Sequence, residues 1–198
     1  EVRFDAIRGN ISEIKTLASL CGTQEKNSGN MAVSDTMDVE KITDKSDHCG
    51  KITGIDGSGR GVDADNADTV TEENLAQHIS NAKMLSKKLQ TIVAITGAID
   101  LVTDGSSCYV IRNGNPQMGH VTGAGCQLSG ILTAFLAANP ENKLQAAAAA
   151  VCMMGYAGEL AAEKSGQSGS GTYRVSLMDA VSCMDGDILE RGARYEIR

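Results

Sequence analysis

Apolar positions along this chain fall into two patterns that alternate, a 3.6-residue periodicity and short continuous runs. The first element is a short strand over 3–7, followed by a turn at Arg8-Gly9-Asn10. Ile11, Ile14, Leu17 and Ala18 then share one face, predicting a helix over 11–20 that Gly22 closes. Leu75, Ile79, Ala82, Leu85 and Leu89 form a second stripe, with Thr71 as N-cap and Glu72 and Glu73 suiting the first turn. The run over 91–96 is almost wholly apolar, which predicts a central parallel strand covered on both faces. Residues 99–103 and 108–112 flank Asp104-Gly105, a hairpin signal, and another turn follows at 113–116. Leu128, Ile131, Leu132, Phe135 and Leu136 predict a helix over 126–138 that Asn139-Pro140 ends. An Ala-rich helix over 144–164, a Gly/Ser loop over 165–171 and a last helix over 174–184 complete the pattern. Strands alternating with helices predict an α/β layered fold with a mostly parallel sheet, in a single domain over 1–198.

The pattern breaks between 23 and 68, where Ser, Thr, Asp, Asn, Gly and Lys dominate. An uninterrupted loop of that length is unusual in a compact domain, so about 23–55 reads as a polar insertion, mobile or only locally structured. It precedes a glycine-rich loop, Gly57-Ser58-Gly59-Arg60-Gly61-Val62-Asp63. A content of 41% hydrophobic and 22% charged residues is that of a globular chain. The net charge of −7, the lack of a Lys/Arg-rich stretch and 3% aromatics argue against nucleic acid as a partner. The longest apolar run, Ala146 to Met154, falls well short of the roughly 18 residues of a membrane span. The six cysteines contain no CxxC pair, and no apolar leader precedes them, so free thiols in the cytoplasm are expected.

The strongest chemical signal is Val121-Thr122-Gly123-Ala124-Gly125-Cys126 running into a helix. Glycines turn the backbone so that successive N–H groups point outward, and the helix adds its positive end, together making an anion hole. A glycine loop that merely starts a helix is the alternative. Cys126 sits at that start, where a thiolate is favoured; elsewhere a cysteine is usually a small buried apolar residue. Asn10 and Glu13, three apart, fit either a Mg2+ shell near phosphates or a plain capping box. Arg8 could fork onto a phosphate, and Thr96-Gly97 ends a strand where α/β sheets bind ligands; each is equally an ordinary surface or turn residue. His120 lies six residues before Cys126, but the glycine turn should carry the two apart, and Asp47-His48-Cys49 is too contiguous to converge on one ion.

Taken in order, the segments Glu1 to Glu13, Gly59 to Asp63, Val93 to Gly97, Asn113-Gly114, Val121 to Cys126 and the helix with Gly155 and Ala161 resemble hydroxyethylthiazole kinase. Order and spacing match over 1–20 and 57–184. Ribokinase-like enzymes usually end the GxGD motif in Asp; Cys126 points to the thiazole kinase branch rather than to hydroxymethylpyrimidine kinases or nucleotide-hydrate dehydratases. The resemblance implies a ribokinase-like three-layer α/β/α fold and transfer of the ATP γ-phosphate to the hydroxyl of 4-methyl-5-(2-hydroxyethyl)thiazole in thiamine salvage. It implies ATP contacts at Arg8, Thr96 and Asn10, thiazole at Gly123, and Mg2+ at Glu13, directly or through water. It also implies an anion hole over Gly123, Ala124, Gly125 and Cys126, with Cys126 in the place of the catalytic base, in a homotrimer. The family has a further N-terminal portion carrying strands and most of the thiazole pocket. The expectation is therefore a chain incomplete at its N-terminus, or a non-catalytic fragment that keeps a nucleotide-binding surface.

Overall fold

A computed structural model describes residues 3–22 and 69–198. The polar insertion at 23–55 and the glycine-rich loop at 57–63 lie outside the described residues. Among the latter, five strands form one sheet in the order β1-β2-β3-β4-β5: β1 Ala6–Asn10, β2 Ile92–Thr96, β3 Asp100–Thr103, β4 Cys108–Ile111 and β5 Tyr195–Ile197. β1 and β2 run parallel; the other three pairs are antiparallel. This corrects the mostly parallel expectation for these strands. The reason is local: β2, β3 and β4 are joined by connections too short for a crossover, so each must reverse direction.

Every residue of β2 except Thr96 is buried, and its neighbours divide between two cores. Val93, Ile95, Leu101 and Val110 face α1 (Ile11–Leu20) and α2 (Leu75–Leu89). Ile92, Ala94, Val102 and Ile111 face α3 (Ala124–Ala138), α4 (Lys143–Ser165) and α5 (Ser170–Ser182). A sheet covered on both faces needs apolar residues at odd and even positions alike, and that is why 91–96 carries no alternation. The layering is α/β/α.

Several boundaries move. β1 continues through Asn10, where a turn was expected, because Arg8, Gly9 and Asn10 pair with Ala94, Ile95 and Thr96. Thr71 does not cap α2; Asn74 is its first flanking residue, and the Asn74 Oδ1 accepts the Thr71 N–H. Glu72 turns away from the helix end to a bidentate pair with Arg112, which holds its carboxyl below the usual range. A 3-10 turn, Pro116–His120, a short α6, Gly186–Gly192, and β5 were not anticipated.

α4 is long and apolar enough to cross a membrane by length and composition alone. Its place in the fold gives it another reason to be apolar. Ala147, Ala150, Val151, Met154, Ala157 and Ala161 are buried among the sheet, α3 and α5. Small side chains also let other segments press on it: a Cβ on Gly155 would meet the Asn113 carbonyl at 2.7 Å.

Candidate functional site

Beyond the ends of β1 and β2 lies a cleft of about 570 Å³, walled by Arg8, Asn10, Thr96, Gly97, the start of α3 and the 113–119 segment. Parallel strands in an open sheet leave such a crevice at their carboxyl ends. Asn10 and Thr96 are register partners, so the two strands end side by side at its mouth.

Arg8 crosses the floor of this cleft. Its Nη1 donates to the Gly125 carbonyl at 3.0 Å and to Ser129 Oγ at 3.4 Å, and its Nη2 donates to Thr96 Oγ1 at 3.3 Å. The guanidinium lies so close to the start of α3 that a Cβ on Gly125 would stand 2.9 Å from Nη2. A larger residue at 125 would push the guanidinium out of its place. The Arg8 Nε is buried without a partner. Gly123 precedes α3 with φ +91, a left-handed conformation that glycine adopts without strain, and no side chain caps the helix. The first-turn N–H groups of α3 therefore lack side-chain acceptors at the positive end of the helix dipole.

Arg8, Asn10, Thr96, Ala124 and Gly125 thus come together around one cleft. Cys126 stands one residue further along α3, exposed, and neither it, Gly123 nor His120 is among the residues lining the cleft. Asn10 and Glu13 make a complete capping box: Glu13 N–H donates to Asn10 Oδ1 at 2.9 Å, and Asn10 N–H donates to Glu13 Oε2 at 2.7 Å. Among the described residues no group of three or more His, Cys, Asp or Glu converges to hold a metal. Glu13, whose Oε2 is taken by that cap, is likewise not among the residues lining the cleft. Cys108 and Cys152 are core residues whose thiols burial pushes up to about 11 and about 12.

Two features escaped the sequence. The first is Asp100, at the start of β3. It is buried, it lines the cleft, and its Oδ1 accepts the Gly97 N–H at 2.8 Å. Burial pushes its carboxyl up to about 7, against the opposing pull of that hydrogen bond and of Arg8. The folded state therefore binds this proton more tightly than the unfolded chain, whose ordinary value is 3.8. Stability from this group is full below about pH 4 and is lost as the pH rises through about 7. Asp100→Asn should raise the melting temperature at pH 8, by an amount equivalent to a few kcal/mol, roughly, with the difference closing near pH 4. Thermal melts at the two pH values check this; equal differences at both would contradict it. The signal in the sequence was an acidic residue beginning an otherwise apolar strand.

The second feature is a polar network behind the 113–119 wall. Asn113 Nδ2 donates to Glu159 Oε1 at 3.0 Å and to the Gly192 carbonyl at 2.9 Å, while its Oδ1 accepts the Arg194 N–H at 2.7 Å. Glu159 also accepts the Gly114 N–H and a bidentate pair from Arg194. Burial raises the Glu159 carboxyl, but these donors outweigh it and hold the group below its ordinary value. Glu159→Ala would orphan several donors at once and should cost about 2–3 kcal/mol in denaturant unfolding. A loss under about 0.5 kcal/mol would show the network to be dispensable.

Comparison with known proteins bears on what the cleft belongs to. The family model described as the hydroxyethylthiazole kinase family matches residues 22–187. The chain belongs to the hydroxyethylthiazole kinase family. It is 41% identical over 197 residues to a hydroxyethylthiazole kinase from Clostridium acetobutylicum, covering 99% of this chain and 59% of that relative. It is 33% identical over 206 residues to one from Desulfovibrio desulfuricans, covering 100% of this chain and again 59% of the relative. The structure of the hydroxyethylthiazole kinase from Pyrococcus horikoshii superposes with a TM-score of 0.58 at 28% identity, over 64% of this chain and 48% of that one. The fold is accordingly that of a ribokinase-like hydroxyethylthiazole kinase. The chain spans 59% of the length of the two curated relatives named here.

Proposed function

We propose that this chain forms the nucleotide side of an ATP-dependent hydroxyethylthiazole kinase. In that reading the enzyme transfers the γ-phosphoryl group of ATP to the primary hydroxyl of 4-methyl-5-(2-hydroxyethyl)thiazole, a step in making thiamine. The observation that carries this reading is Arg8, a guanidinium laid against the uncapped start of α3 on the cleft floor, with one buried N–H to spare. A polyphosphate is the ligand whose charge and acceptor oxygens that arrangement suits.

Phosphoryl transfer asks a protein chiefly for positioning and charge stabilisation. Arg8 and Thr96 would contact ATP, with Asn10 beside them at the end of β1. The 123–126 backbone would serve as anion hole for the transferred group, each well-placed donor contributing on the order of 2–4 kcal/mol. Gly123 would meet the thiazole alcohol, and Cys126 would accept the proton of its hydroxyl. Glu13 would hold Mg2+, directly or through water; when bound, the ion neutralises charge on the phosphates. The family likeness extends the reading to a cytoplasmic homotrimer acting on small molecules.

The test uses the natural full-length protein with Mg·ATP, in the presence and absence of the thiazole alcohol. ADP release should depend on the alcohol and yield its phosphate ester. Release that ignores the thiazole and responds instead to hydroxymethylpyrimidine would assign the chain to another kinase of the fold.

A further inference from the structure

β2 ends at Thr96 and β3 begins at Asp100, so three residues reverse the chain at the wall of the cleft. Of these three residues Ile99 packs its side chain against the core, while Gly97 and Ala98 at the cleft end are exposed, and glycine at the first position loosens the turn. The tie is supplied from the far end. Asp100 is fixed by strand pairing with Ile111, is 9% exposed, and reaches back to take the Gly97 N–H at 2.8 Å. Thr96, the residue before that N–H, holds Arg8 Nη2 through its hydroxyl at 3.3 Å. One chain of contacts therefore runs from Asp100 through the Gly97 amide and Thr96 to the Arg8 guanidinium, all within the lining of one cleft.

We infer that Asp100 is the positioning residue of the cleft, holding the Thr96–Gly97 turn in the conformation that presents Thr96 and Arg8 to a bound nucleotide. The inference rests on the nucleotide reading of the site given above.

The chemistry of the residue supports this. A carboxyl group can accept the Gly97 N–H through either oxygen, whereas an amide can do so only in one of its two orientations. Arg8 is the charged group Asp100 faces, and it is already bonded to Gly125, Ser129 and Thr96. Asp100 therefore sits buried next to an arginine that is engaged elsewhere, which is an unfavourable place for a carboxyl if folding were its purpose. Residues that lower stability while ordering a cleft are characteristic of functional sites.

The experiment measures Mg·ATP affinity by calorimetry, with a melting curve for each protein, in the natural full-length protein and its variants. Asp100→Ala removes the acceptor and should weaken Mg·ATP binding about 10-fold without lowering the melting temperature at pH 8. Asp100→Asn keeps one accepting oxygen and should recover most of that loss, to within about threefold of the parent. Backbone amide exchange at Gly97 should accelerate in Asp100→Ala and stay slow in Asp100→Asn. Should Asp100→Ala fail to fold, Asp100→Ser, whose shorter side chain cannot reach Gly97, takes its place with the same expected weakening. Unchanged affinity in Asp100→Ala, or equal weakening in Asp100→Asn, would overturn the positioning role. A parent protein that folds and binds no Mg·ATP would overturn the nucleotide reading itself, so the two failures are distinguishable.

Discussion

Arg8→Ala should reduce Mg·ATP affinity and thiazole-dependent turnover together, by about 100-fold or more in kcat/KM. Three consequences follow from removing one side chain. The positive charge on the cleft floor disappears. The Gly125 carbonyl, Ser129 Oγ and Thr96 Oγ1 lose a shared partner, which detaches the start of α3 from the end of β2. Space opens over Gly125, which the guanidinium now fills. Lysine should rescue poorly. Its point charge cannot reach three acceptors on two elements at once, nor lie flat against a glycine. Steady-state kinetics of the parent, Arg8→Ala and Arg8→Lys read this directly. An Arg8→Lys variant with full turnover would reduce the role of Arg8 to its charge alone.

The second large effect concerns Cys126. It stands in the first turn of α3 and is exposed, so changing it should leave the core intact. If its side chain takes the hydroxyl proton during transfer, Cys126→Ala should lower turnover by roughly 10² or more, with an unchanged melting curve. Cys126→Asp should keep or raise turnover, because the resemblance to ribokinase-like enzymes implies a carboxylate at that place. Its charge at a helix N-terminus should also add about 0.3–1 kcal/mol of stability. Were Cys126 merely a packing residue, the order would invert, and Asp would be the damaging substitution. Its exposure already argues against a packing role. An Ala variant with full activity would remove Cys126 from the chemistry and leave the glycine-lined helix start to act alone.

The layered α/β arrangement and the glycine-led start of α3 were legible because each rests on local pattern: continuous apolar runs for buried strands, period 3.6 for helices, and Gly123 and Gly125 ahead of an apolar stripe. What stayed hidden depends on partners distant in sequence. Arg8-Gly9-Asn10 carries turn residues, yet pairing with Ala94 to Thr96 draws it into β1. β5 has only three residues and two of them are exposed; Cys108 and Arg198 exchange backbone hydrogen bonds at its end, which no local pattern encodes. Asp100 read as one polar position in a strand, since its burial and its bond to Gly97 exist only once β2 and β3 fold together. For Asn10 and Glu13 the sequence left a cap and a metal shell both open. The structure forms the cap.

A nucleotide site at Arg8 and the start of α3 fixes where the phosphates bind, and a crystal structure of the natural protein with Mg2+ and a non-hydrolysable ATP analogue measures that. The predicted result places the terminal phosphates within about 2.7–3.2 Å of the Arg8 guanidinium and of the first N–H groups of α3, between Thr96 and Gly125. An analogue bound elsewhere, with Arg8 still on Gly125, Ser129 and Thr96 and the start of α3 free of phosphate, would contradict it.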